Sequence, residues 1–339
     1  MKHFTVRYSD GMGDLSKFII PAEQLVLNPG NSPVELGSGD TGGITGTCSY
    51  SDPHKVKMRL EEGWQADLNP HISRGNNLEG DEVAPGRFNG LGGMYQDSNP
   101  GCVLVKGQPT LHPLLQWMRA TCDFIRTDLD EPINIEVKCP SGFGFKNYTN
   151  NPTYYGQCQW QMAVTGLKKT QFCVFNGNSG LLEVVHEWDA DPEVQYALIE
   201  TGYNFLTRHI IGDEPIPMTG SRACTEFITE RYPASKGDSL IDAGAESSAV
   251  IQDLIRAKGD KDDAEERIRL AQNLLKETIG PRAGIEGEFG KILWKTSERK
   301  TVDYKSLTKD LKIDAGTIKK YTKTKSYRTF RSFFNGDAA

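Results

Sequence analysis

Apolar and polar residues alternate in several short runs through the middle of the chain. The clearest is INIEVK (133–138), where Ile133, Ile135 and Val137 fall on one side and Asn134, Glu136 and Lys138 on the other. Period-two alternation predicts a strand with one face on a core. Cys139-Pro140 should stop it, because proline cannot extend a ladder. CVLVKG, QPTLHP and LLQWMRATCDFI predict two strand-like runs in a hairpin or meander, with Asp123 closing the second, and TQFCVFNG and LLEVVHEW predict two more strands. Helical spacing instead places Tyr154, Gln157, Gln161 and Val164 on one face of a helix over 154–165. A buried glutamine on such a face needs partners.

The run LGSGDTGG reads as a helix start that Ser38 or Asp40 can cap, and HISRGNNLEGDEVA (71–84) is counted as a second helix only because it resembles a helix of a known family. Between residues 37 and 188 the order is therefore helix, helix, three strands, helix, two strands. The expected class is α/β (α+β), a mixed central sheet flanked by helices. DPEVQYALIETGYNFLTRHIIGDEP follows as an amphipathic helix ended by Pro215 and Pro217. Residues 86–101 and 141–153 read as mobile loops, the second aromatic and basic. Past Ser221, two helices split by Gly259-Asp260-Lys261 predict an antiparallel hairpin, then a small β-hairpin and a tail. The expected divisions are 1–36, of no readable role, a core over 37–220, the helical hairpin over 221–290, and the basic hairpin and tail over 291–339.

Composition narrows the classes. The 339 residues have a net charge of −6 and a mean hydropathy of −0.50. No apolar run is long enough for a membrane span, and the first residues carry no secretory h-region, so a cytoplasmic location is expected. Seven cysteines without C-x-x-C pairing, and six histidines without H-x-x-x-H spacing, argue against a zinc site or iron–sulfur cluster. The overall acidity gives no support for a nucleic-acid partner. Residues 291–331 do, with 13 Lys/Arg against 4 Asp/Glu and interleaved aromatics, the footprint of a strand-tracking surface. A basic tail packed on an acidic body is the alternative.

The candidate chemistry lies in Asp123, Glu136 and Lys138. A strand sends Glu136 and Lys138 the same way, and Asp123 precedes them at hairpin distance. Two carboxylates offer hard oxygen ligands for Mg²⁺, and a lysine beside them can orient water or steady a phosphorane-like charge. A Glu and a Lys two apart are also common on solvated faces.

The order acidic residue, E-x-K-C-P (136–140), then Y-x-x-Q-x-Q (154–159) resembles the PD-(D/E)xK nuclease superfamily, and within it the lambda exonuclease and YqaJ-like recombinase family. The likeness covers roughly residues 37–215. It implies a restriction-endonuclease-like core and Mg²⁺ as cofactor, with Mn²⁺ able to substitute. Asp123, Glu136 and the Val137 carbonyl would hold the metal, and Glu79, within a segment similar to the family's G-x-x-x-E-x-x-A helix, would complete it. Lys138 and Gln157 would be catalytic. DNA contacts would come from Ser38, Tyr154 and Gln159. Lys146 in the 141–153 loop, and Lys320, Lys323 and Arg328 in the basic tail, are further DNA-contact candidates. Gly39 occupies the place where the family carries a phosphate-seating hydroxyl, and the family's upstream Trp and Arg are missing. The resemblance implies a 5′→3′ exonuclease acting at double-stranded DNA ends for recombination, a ring-shaped homotrimer, a single-strand annealing partner and, for a phage-encoded chain, the bacterial host cytoplasm. A structure- or sequence-specific endonuclease and a non-catalytic DNA-binding protein are the other readings.

Overall fold

A computed structural model of the chain describes residues 12–27, 33–62, 78–140, 145–235, 237, 240–288, 290–298, 301 and 303–322. The chain divides into two units, residues 1–232 and 233–339.

The first unit is built on a five-stranded mixed sheet. Its strands are β4 (Leu104–Lys106), β7 (Phe124–Arg126), β8 (Ile133–Lys138), β9 (Lys169–Asn176) and β10 (Leu181–Asp189), in the order β10-β9-β8-β7-β4. Only β8 and β9 run parallel; the other pairs are antiparallel. Parallel neighbours need a crossover, supplied here by α4 (Phe145–Thr149) and α5 (Pro152–Thr165). α5 begins where Asn151 Oδ1 accepts from Thr153 N at 3.0 Å and Pro152 takes the first helical position. It ends at Gly166, whose φ of 72° is a glycine conformation and whose N–H returns to the Met162 carbonyl at 2.8 Å.

β8 is covered on both sides. Ile133, Ile135 and Val137 join Phe88, Leu91, Tyr95, Leu104 and Phe124 in one apolar cluster. Asn134, Glu136 and Lys138 face α5. A second cluster gathers Leu36, Trp117, Met118, Trp160, Ile199 and Leu206, and the Trp117 and Trp160 rings meet edge-on at 6.1 Å. Fully burying side chains of this size stabilises by roughly 1.5–3 kcal/mol each. The N-terminal segment belongs to this core: Phe18 and Leu25 are buried, and the Phe18 carbonyl accepts from Trp117 Nε1 at 2.8 Å.

Several elements differ from expectation. LLQWMRATCDFI splits into β6 (Met118–Ala120), in a small sheet with β1 (Leu36–Gly37) and β5 (Thr110–Leu111), and β7 in the large one. Residues 90–98 form a helix, α3 (Gly90–Ser98), not a mobile loop. Its glycines allow close approach: a Cβ at Gly92 would stand 2.6 Å from Phe124 Cζ, and one at Gly93 2.5 Å from the Phe88 carbonyl oxygen. Of the helix expected over 71–84, residues 71–77 lie outside the described residues; Leu78 and Glu79 are helical, Gly80 then turns with φ 106°, and β2 (Glu82–Ala84) pairs with β3 (Arg87–Phe88). The amphipathic helix is α6 (Pro192–Asn204), which continues as a π-helix, Phe205–Ile211. α7 (Arg222–Arg231) closes the unit, with Ala223, Cys224 and Phe227 buried.

In the second unit the expected helical hairpin is one helix, α8 (Ala245–Ile279), of 35 residues. Gly259 costs only about 1 kcal/mol inside a helix, and the good helix formers around it offset that. The β-hairpin lies upstream of its expected place, β11 (Gly284–Gly287) against β12 (Gly290–Leu293). The segment expected to finish it starts α9 (Tyr304–Asp310), and α10 (Ala315–Tyr321) follows. No helix among the described residues is long and apolar enough to cross a membrane.

Candidate metal centre on strand β8

The site begins with the register of β8. Phe124 pairs with Ile135, so Asp123, one residue before β7, sits level with the strand's end. There Asp123 Oδ2 accepts from the Val137 backbone N–H at 2.8 Å. Glu136 projects from the same strand toward α5 and is almost wholly buried, at 1% exposure. Lys138 Nζ donates to Glu136 Oε1, as does Gln157 Nε2 at 2.7 Å. Gln161 Nε2 donates to Glu136 Oε2 at 2.8 Å and to the Thr121 carbonyl at 3.1 Å. Asn134 Nδ2 donates to Gln161 Oε1 at 2.8 Å, which fixes the amide's orientation. A buried carboxylate is tolerated when it is paired and hydrogen-bonded, and both oxygens of Glu136 are.

Glu79 is the third acid. Lys106 Nζ donates to its Oε2 at 2.9 Å and lies 4.6 Å over the Phe124 ring. Burial, and then the Glu136 charge, push the Asp123 carboxyl well above its ordinary range; Lys138 pulls it back, and Glu79 pushes it further up. Burial alone would lower the Lys138 ammonium, but Glu136 and Asp123 outweigh it and hold the ammonium above the usual lysine range. Lys138 is therefore a cation and a donor throughout the neutral range. Carboxylates crowded until one resists ionisation make this cluster a candidate functional site. Their donor set is all oxygen, which suits a hard divalent cation such as Mg²⁺ or Mn²⁺.

Tyr154 stands beside this centre, with Lys138 Nζ 5.5 Å from its ring centroid. Its own ring stacks between Tyr148 and Phe172, and burial raises its hydroxyl pKa. Gln159 is a correction. It is fully buried and spent elsewhere, donating to the Asp189 carbonyl at 2.9 Å and accepting from the Asp191 N–H at 2.9 Å and Gln195 at 3.1 Å. Two residues on from Gln157, it faces away from Gln157 and Gln161 and cannot reach DNA. Ser38 is buried in a 3₁₀ turn, its carbonyl accepting from the Thr41 hydroxyl at 2.8 Å. Asp40 binds Arg59 through both oxygens, at 2.6 and 3.1 Å. Lys320 is exposed on α10 in the second unit. The Lys146 side chain, Lys323 and Arg328 lie outside the described residues. His112 is a turn residue, its Nδ1 accepting from the N–H groups of Leu114 and Leu115.

Sequence reasoning missed two participants, Asn134 and Lys106, and the partner of a third. Gln161 was legible as a buried glutamine on the stripe, but its partner was not. Asn134 shares the polar face of INIEVK and so carried a signal. Lys106 had none, because its partner Glu79 lies 27 residues upstream.

The mixed sheet, with its acidic pair and Glu-x-Lys facing a glutamine-bearing helix, is the arrangement that the PD-(D/E)xK resemblance implies. The likeness to the YqaJ-like family is borne out by a sequence relative. The uncharacterized protein YqaJ of Bacillus subtilis (strain 168) is 25% identical over 228 residues, 66% of this chain and 68% of the relative. No family model matches the sequence. Among solved structures, the alkaline exonuclease LHK-Exo of Laribacter hongkongensis, crystallised with dAMP, aligns with 62% of this chain and 95% of its own at 18% identity and TM-score 0.42. A phage-related exonuclease from Haemophilus somnus 129PT aligns with 59% of this chain and 97% of its own at 12% identity and TM-score 0.38.

Proposed function

We infer that the chain is a divalent-metal-dependent deoxyribonuclease, with residues 37–220 as its nuclease core. One observation carries the reading: Asp123 and Glu136 converge at the end of β8 beside an ammonium, Lys138, that is held in place and charged. Asp123, Glu136 and the Val137 carbonyl would hold Mg²⁺, or Mn²⁺ in its place, with Glu79 completing the set. When bound, a hard divalent cation supplies Lewis acidity toward a phosphate and the attacking water.

The chain's own residues do the rest. Glu136 is presented rigidly because Gln157 and Gln161 grip opposite oxygens. Lys138 keeps its proton, so it orients water and steadies negative charge instead of removing a proton. Tyr154 backs the ammonium and would flank the DNA strand. The resemblance further proposes 5′→3′ degradation of duplex DNA from its ends, single-stranded overhangs for recombination, a ring-shaped trimer and an annealing-protein partner in a bacterial host cytoplasm.

The test is degradation of linear 5′-phosphorylated duplex DNA with Mg²⁺, beside a covalently closed circle and Glu136→Gln. Loss of the linear substrate alone, abolished by the substitution, is expected. The sequence's departures at the phosphate-seating positions make the circle a real control: cutting it would establish an endonuclease. DNA binding with no cleavage under Mg²⁺ or Mn²⁺ would overturn the enzymatic reading.

A further inference from the structure

A second set of ligating side chains lies where α2 (Pro53–Glu62) meets α7, and it shares no residue with the β8 centre. Asp52 caps α2, its Oδ1 accepting from the Lys55 N–H at 3.1 Å. His54 sits in the first turn of α2, and Cys224 in the first turn of α7, where its N–H is capped by Ser221 Oγ at 3.0 Å. One ligand atom from each of Asp52, His54 and Cys224 lies within 4.8 Å of the others. All three are buried, at 1%, 6% and 0% exposure.

The decisive group is His54. Its ring is fixed from two sides, stacked on Phe227 at 4.6 Å between centroids and tied through Nε2 to the Ile216 carbonyl at 3.2 Å. A carbonyl can only accept, so Nε2 carries the proton, and in the neutral imidazole Nδ1 then presents a lone pair. Among the described residues that nitrogen has no hydrogen-bond partner. It points toward Asp52 Oδ2 at 3.7 Å, too far for a hydrogen bond. The other neighbours of the spot are weak: the Ser221 hydroxyl reaches Oδ2 at 3.4 Å, and Cys224 Sγ lies 3.7 Å from Met218 Sδ. Three electron-pair donors thus face one another across a gap, and the imidazole is oriented by a backbone carbonyl, the arrangement metal-bound histidines use.

The geometry points to a transition-metal site of the zinc class, with Asp52 Oδ2, His54 Nδ1 and Cys224 Sγ as three ligands. Bonds of about 2.0–2.3 Å to such atoms give a tetrahedron with edges of roughly 3.3–3.7 Å, so the His54–Asp52 separation already fits and Cys224 has to close by about an ångström or less. On binding, the Cys224 thiol gives its proton to solvent. One carboxylate and one thiolate then balance a divalent ion, leaving a buried site without net charge. The mixed oxygen, nitrogen and sulfur set discriminates against Mg²⁺, so this ion would not be the one at β8. An approach exists, because His54, Met218 and Phe227 also line a cleft of about 710 Å³. The bound ion would staple residue 52 to residue 224, holding α7 onto the nuclease core. Sequence spacing hides the set, since Asp52 and His54 lie far along the chain from Cys224.

The test uses the full-length chain, stripped of metal and titrated with Co²⁺ in excess Mg²⁺, then with Zn²⁺. One Co²⁺ per chain with a thiolate-to-cobalt charge-transfer band is expected, displaced by Zn²⁺ and unchanged in Glu136→Gln. Cys224→Ser should lose the band, and His54→Gln and Asp52→Asn, which keep a polar cap or ring substitute, should weaken binding at least tenfold. Zn²⁺ should also raise the unfolding temperature of wild type and not of Cys224→Ser. Absence of the band in wild type, or its persistence in Cys224→Ser, overturns the proposal, and the wild-type result alone suffices should a variant not fold. Titration of His54 as an imidazolium paired with Asp52, in protein that takes up no Co²⁺, would overturn it equally.

Discussion

Gln161 Nε2 lies 2.8 Å from Glu136 Oε2, and the same nitrogen reaches the Thr121 carbonyl at 3.1 Å. One amide thus ties the carboxylate of β8 to the backbone beside Asp123. Replacing Gln161 with leucine keeps the volume, removes three hydrogen bonds and strands the buried Glu136 Oε2. Each unmade partner costs about 1–3 kcal/mol, so urea unfolding should show a loss of a few kcal/mol. Cleavage should fall with it, as Glu136 loses its orientation. Wild-type stability in Gln161→Leu would mean that the amide supports nothing.

In the proposed site, Lys138 and a divalent cation are alternative counter-charges for Glu136. Lys138→Met should therefore behave in two opposed ways. Without metal it should be destabilised by about 3 kcal/mol, because one partner of a largely buried pair is gone. With Mn²⁺ it should recover most of that, so its metal-induced thermal shift should exceed that of wild type. Turnover should drop at least about a hundredfold. Calorimetric titration and a nuclease assay read the two effects separately.

Glu79 and Lys106 make a cycle. Glu79→Gln removes one negative charge from the proposed metal site and should raise the Mn²⁺ concentration for half-maximal activity by about tenfold, since ligand charge sets affinity. Lys106→Met releases Glu79 and should lower that concentration. In the double variant the benefit of Lys106→Met should vanish, a coupling that only a shared site produces.

Two aspartates predict opposite pH effects. Arg126, through its hydrogen bonds, pulls Asp128 down to about 2. This carboxylate binds protons less tightly folded than unfolded, so its contribution is present above its usual value near 4 and lost as pH falls toward 2. Asp123 is raised, chiefly by burial and Glu136, so its contribution is complete below the usual carboxylate value and disappears as pH rises through its folded value. Asp128→Asn should flatten the acid limb of the metal-free stability curve. Asp123→Asn should flatten the decline toward neutral pH.

Gly92→Ala tests the docking of α3. The new methyl would stand 2.6 Å from Phe124 Cζ, and Phe124 is fully buried and cannot swing aside. A loss of about 1–3 kcal/mol is expected from overpacking, read as a lower urea midpoint with an unchanged slope.

The sequence was most informative where periodicity and chemistry coincided. INIEVK declared a strand, its two faces and its end, because alternation and a terminal proline are local signals. Gln157 followed from helical spacing, whereas Gln159, two residues on, was misassigned because the motif does not say which glutamine faces the strand. Gly92 and Gly93 read as a loop because nothing local reveals that an aromatic ring and a carbonyl fill the space a side chain would need. Gly259 read as a break for the converse reason: a lone glycine marks a helix end only when its neighbours also favour one. Pairings such as Lys106 with Glu79, or His54 with Cys224, depend on the finished fold.

The two-faced character of β8 also bears on how errors in folding would be noticed. Sliding the strand by one residue against β7 would turn Glu136 and Lys138 toward Phe124 and Leu104, and Ile135 and Val137 toward the glutamines of α5. Greasy and charged surfaces would both be violated at once, so a misregistered chain would collapse rather than persist as a folded but inert protein. The same six residues carry the proposed chemistry and proofread the assembly that presents it.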